Sequence, residues 1–121
     1  MIAVTLESSN ILGLFDQQGN VLIDKTCEFL DLSKEQIANA FGLNKSAIRI
    51  DRLSQSTKDR FYALAEAMEK VALLLDKDRD KTKAWFKLPN PNFGGASPRS
   101  LIIHKRYDVV LKFIDAATSG F

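Results

Sequence analysis

The sequence predicts an all-α fold, and three observations carry that prediction. Apolar residues recur at three- and four-residue spacing over two long segments, Phe61 to Leu75 and Val109 to Ala117. Helix starts are written out: Ser33-Lys-Glu-Gln36 is a capping box, Ser54 and Ser56 precede the longest apolar stripe, and Ser97 precedes Pro98. Alternating apolar runs of strand type are confined to the first few residues, at Ile2, Val4 and Leu6. The expected architecture is a helix-turn-helix-like N-terminal unit, a long central helix and a small helical C-terminal subdomain.

Composition narrows the function classes. The chain has 121 residues, 45% hydrophobic and 26% charged, the profile of an ordinary small globular domain. No apolar run approaches the roughly 18 residues that cross a bilayer, and MIAVTLESSN lacks the basic start of a secretory signal. One cysteine, Cys27, excludes an intramolecular disulfide and fits a cytoplasmic protein. With a single histidine, His104, it leaves no protein-only zinc or haem site, and no cofactor is expected. There is no phosphate-binding glycine loop and no nucleophile motif, so the chain reads as a binding protein and not an enzyme.

Charge is unevenly spread over a net of +2. Residues 1–32 hold one base against five acids, residues 33–60 six against three, and residues 85–121 five against two. Two basic blocks on a near-neutral chain point to a polyanion or an acidic partner.

Taken in order, residues 1–19 read as a leader or dimer arm, with Gly19-Asn20 as a turn signal. Residues 20–60 form the helix-turn-helix-like domain. Its first helix spans Val21 to Phe29, and the capping box at Ser33 opens a second one. That second helix buries Ile37, Ala38 and Phe41 and turns at Gly42, which takes a left-handed conformation without a Cβ clash. Asn44 then caps a recognition helix whose inward residues are Leu43 and Ile48. Lys45, Ser46, Arg49 and Arg52 face outward, where phosphates and base edges of DNA are read.

Residues 61–121 comprise the long helix and the C-terminal domain. Phe61, Leu64, Ala65, Met68, Val71, Ala72 and Leu75 form the spine's apolar stripe. Asp76 to Lys83 reads as a charged connection to a short helix carrying Ala84, Trp85 and Phe86. All three prolines and a Gly-Gly pair then fall within Trp85 to Leu101, WFKLPNPNFGGASPRSL. Pro89 and Pro91 stop the incoming helix, Gly94-Gly95 reverses the chain, and Ser97-Pro98 opens the next helix. Val109, Val110, Phe113, Ile114 and Ala117 mark the last helix.

This stretch resembles the signature of the Xre/MbcA/ParS-type antitoxins of bacterial toxin–antitoxin pairs. The matching residues are Trp85, Pro89-Asn90, Gly94-Gly95, Ser97-Pro98 and Leu101. The resemblance covers roughly residues 20–118. It implies a C-terminal half that binds a cognate toxin, typically a RES-domain enzyme that consumes NAD, and blocks its active site. It also implies an N-terminal half that forms a homodimer and binds the operon's own promoter as an autorepressor. On charge and position, Lys87, Arg99, Lys105 and Arg106 are the expected toxin contacts. Two departures stand out: Asp51 occupies a usually apolar position of the recognition helix, and His104-Lys-Arg-Tyr107 stands where a glycine is expected after Leu101. A stand-alone helix-turn-helix repressor is the alternative, with Lys45, Ser46, Arg49 and Arg52 as its DNA contacts.

Overall fold

A computed structural model describes residues 10–44 and 53–119. The fold is all-α, and among the described residues the only β feature is one antiparallel bridge, Phe15 to Val21. Six α-helices lie among the described residues, in order: α1 Ile23–Leu30, α2 Lys34–Ala40, α3 Gln55–Leu74, α4 Arg79–Lys87, α5 Pro98–Ile103 and α6 Tyr107–Ala117. A 3-10 turn, Pro91–Phe93, lies between α4 and α5. No helix among the described residues is long and apolar enough to cross a membrane.

Of the expected leader or dimer arm, 1–19, the structure describes residues 10–19. Residues 10–19 are built into the chain's own core, with Leu12, Leu14 and Phe15 buried. Asp16 turns the chain: its carboxylate accepts the N–H groups of Gln18 and Asn20, and Gly19 sits at φ +86°. The Leu22 N–H then donates to the Leu14 carbonyl at 2.8 Å, closing a small hairpin. The outer edge of Phe15 is also occupied, because the Asn10 side chain both donates to its carbonyl and accepts its N–H. Residues 1–9 lie outside the described residues. The bridge uses Val21, so α1 begins two residues later than the apolar spacing suggests.

The capping box at Ser33 is present in both directions: Ser33 Oγ accepts the Gln36 N–H and Gln36 Oε1 accepts the Ser33 N–H. It starts α2, which buries Ile37, Ala38 and Ala40 and ends at Phe41. Gly42 follows in the left-handed region at φ +72°. The expected recognition helix, with Lys45, Ser46, Arg49 and Arg52, falls outside the described residues.

Ser54 caps α3 by accepting the Thr57 N–H at 3.2 Å. The spine buries Phe61, Leu64, Ala65, Met68, Val71 and Ala72, while Leu75, the last residue of the expected stripe, caps the helix end and is half-buried. The charged connection is shorter than the sequence suggests. Asp78 accepts the Lys81 N–H at 3.0 Å and so caps α4, which starts at Arg79 inside the charged run. The alternating charges mask a cap whose inward residue is Thr82, fully buried and donating to the Asp78 carbonyl at 2.7 Å. Helix α6 likewise starts earlier than its stripe, at Tyr107.

Short helix α5 is the meeting point of the C-terminal half. It packs against α2, α4 and α6, with Ile102 wholly buried, while α3 packs against α4 and α6.

Candidate partner-binding surface

The stretch that carries the family resemblance folds as a closed loop at the end of α4. Asn90 is its clasp. Its N–H donates to the Ala96 carbonyl at 3.1 Å, and its own carbonyl accepts the N–H groups of Phe93 and Gly95. Its side chain accepts the Asn92 N–H at 2.9 Å, so Asn90 is buried although Pro89 and Pro91 on either side are exposed. Gly94 and Gly95 at φ +67° and +91° supply the left-handed backbone that brings Ala96 back to Asn90. Ser97 Oγ accepts the Ser100 N–H at 3.0 Å, and Pro98 occupies the first turn of α5, where no N–H is needed.

An aromatic cluster ties this loop to the last helix. The Trp85 ring stacks on Phe113 at 6.3 Å between centroids with an interplanar angle of 22°. Phe93 meets both rings edge-on, at 6.2 Å from Trp85 and 5.1 Å from Phe113. All three are only half-buried, and Leu88, three residues after Trp85 in sequence, is 59% exposed.

The four expected toxin contacts divide into two places. Lys87 and Arg99 converge on the end of α1. Arg99 donates from Nε to the Leu30 carbonyl and from Nη2 to the Asp31 carbonyl, each at 2.6 Å. These bonds satisfy two carbonyls at the helix terminus and set a positive charge against the negative end of its dipole. Lys87 pairs with the Asp31 carboxylate, and this pairing holds the Asp31 carboxyl below the usual carboxylate range. Both bases thus hold α1 against the loop. Lys105 and Arg106 are exposed in the turn between α5 and α6, with Lys105 left-handed at φ +66°, the conformation for which glycine is the usual choice.

Glu69 went unnoticed in the sequence because it sits within the spine's apolar stripe. It is wholly buried, and its carboxylate accepts the N–H groups of Leu12 at 2.9 Å and Leu14 at 3.3 Å. Arg79 completes this clamp by donating to the Leu12 carbonyl at 3.1 Å while its guanidinium lies over the Phe29 ring. Burial raises the Glu69 carboxyl above its usual range, against the opposing pull of the two backbone amides. A carboxylate lying one turn from Ala65 and from Ala72 on the stripe is the signal that could have found it. Phe93 and Phe113 were legible as apolar residues, but nothing in their spacing placed them on Trp85.

His104 Nδ1 lies 2.7 Å from the Ser100 carbonyl and 3.4 Å from the Ser100 hydroxyl, both one turn back on its own helix. Among the described residues no three His, Cys, Asp or Glu side chains are grouped to hold a metal ion. Comparison with protein-family models, curated proteins and solved structures gives no match to any of the three.

Proposed function

We propose that this chain is the antitoxin of a toxin–antitoxin pair, binding and inhibiting a RES-domain, NAD-consuming toxin in the cytoplasm. The observation that carries this reading is the Trp85–Leu101 loop. The residues of that signature are locally fixed in this chain: Asn90, Gly94 and Ser97 each hold a definite turn. The half-buried Trp85, Phe93 and Phe113 with exposed Leu88 then supply apolar contact area for the toxin. Burying the patch and closing the toxin's active site is a binding function, with no bond made or broken by this chain. The active form is a homodimer.

Co-expression with the neighbouring reading frame tests the reading. That neighbour should arrest growth alone, and this chain should restore growth and co-purify with it. Leu88→Glu should weaken the complex by tenfold or more, since a charge would enter an apolar contact at a cost of about 1.4 kcal/mol or above. A neighbour that is harmless when expressed alone would end the proposal.

A second reading, transcriptional repression of its own operon, is favoured by the Ser33-capped helix and the left-handed turn at Gly42. Lys45, Ser46, Arg49 and Arg52 are its DNA contacts in this reading. An Arg49→Glu variant that binds the promoter as well as the wild type would count against it.

A further inference from the structure

We infer that the His104–Arg106 turn contacts the phosphate backbone of duplex nucleic acid, an assignment that rests on the DNA-binding reading and takes Lys105 and Arg106 away from the toxin. The argument starts from Tyr107. Its ring meets Phe41 edge-on at 5.2 Å, and Phe41 ends α2 immediately before the left-handed Gly42. Arg60 reaches the same place, with its guanidinium 6.0 Å from the Phe41 ring and a hydrogen bond to the Phe41 carbonyl. Tyr107 follows Arg106 directly, so the 104–106 turn enters α6 beside the Phe41–Gly42 turn. Arg60, from the first basic block, and the Lys105-Arg106 pair, from the second, are thus drawn to the surroundings of one ring, that of Phe41.

The turn is rigid and its charges are available. The Lys105 N–H donates to the Ile102 carbonyl at 3.2 Å and the Arg106 N–H to the Leu101 carbonyl at 2.7 Å, which fixes the backbone. His104, Lys105 and Arg106 are all exposed. Among the described residues no carboxylate lies within salt-bridge distance of Lys105 or Arg106, whereas Lys34, Lys70 and Lys87 each have one. The acid nearest in sequence is Asp108, exposed in the first turn of α6. A protein partner calls for apolar surface at the centre of its contact, with charged residues depleted there. Three exposed polar residues in a row fit phosphates better.

The test uses the full chain and a fluorescent mixed-sequence duplex of about 30 base pairs, long enough for more than one helical turn. Anisotropy titrations run from about 50 to about 200 mM potassium chloride, where phosphate contacts dominate the salt response. The variant is Lys105→Gly with Arg106→Gln, which removes both charges and suits the left-handed position; its thermal melt checks that it folds. The slope of log affinity against log salt should become shallower by roughly two, near 0.9 per phosphate lost. An unchanged slope overturns the assignment, as does a wild-type chain that binds no duplex at the lowest salt. The same variant should still neutralise the toxin. Lost neutralisation with an unchanged slope returns these residues to the toxin face, which overturns this assignment and leaves the antitoxin reading standing.

Discussion

Glu69 concentrates the most consequence in one side chain. Its two oxygens satisfy the N–H groups of Leu12 and Leu14, so Glu69→Ala leaves two buried donors unpaired. At about 1–3 kcal/mol for each such group, the variant should lose about 3 kcal/mol of stability, read from urea denaturation. The pH dependence has a definite sign. Because burial raises the carboxyl in the folded chain above 4.5, Glu69 contributes most below that pH, and its contribution falls as pH rises through the raised value. Asp31 behaves in the opposite way: Lys87 lowers its carboxyl, so its contribution is present above the ordinary 3.8 and is lost on acidification. Comparing Glu69→Gln with wild type from pH 4 to 8 should therefore show the wild type's relative stability declining with pH. Cys27 is a third marked residue. Burial pushes its thiol up to about 11, so a thiol reagent at neutral pH should label it only as fast as the chain unfolds.

At the scale of elements, the closed loop and the bases around it act as one fastening. Asn90→Ala removes the cap on the Asn92 N–H and should cost about 1 kcal/mol in thermal unfolding. Arg99→Ala should cost more, about 2 kcal/mol, because it uncovers two carbonyls at the end of α1. Helices were legible where the sequence repeats or caps: the spine's stripe, the box at Ser33 and the Ser97-Pro98 start are all in the structure. The start of α4 was not legible, since Asp78 caps from within a run of alternating charges. The loop's turn residues were readable because proline and glycine carry their backbone preferences locally. The partners of Arg99 and Lys87 were not, because Leu30 and Asp31 lie 68 or 69 residues from Arg99. Side-chain pairing over such separations leaves no periodic trace.

For the whole molecule, the arm, the spine and the loop share one core, running from Leu12 through Phe61 and Met68 to Ile114. Unfolding should accordingly be a single transition, with Trp85 fluorescence and helical circular dichroism superimposing across a urea series. Separate midpoints for the two signals would divide the core. Class and core were readable from composition and spacing. The approach of the 104–106 turn to the end of α2 was not, because it depends on Tyr107 meeting Phe41 across 66 residues of chain.

The Glu69 clamp also sets an order in time. Leu12 is held by a residue 57 positions later and by Arg79, 67 positions later, whereas α3, α4 and α5 each pack on the next helix in sequence. Closing so long a loop pays its entropy before the contact repays it. During synthesis the arm leaves the ribosome before the spine, yet has no seat until the spine has emerged and coiled. The earlier of the two segments is thus expected to be placed after the later one, and until then Leu12, Leu14 and Phe15 stay open to whatever else binds an extended apolar segment.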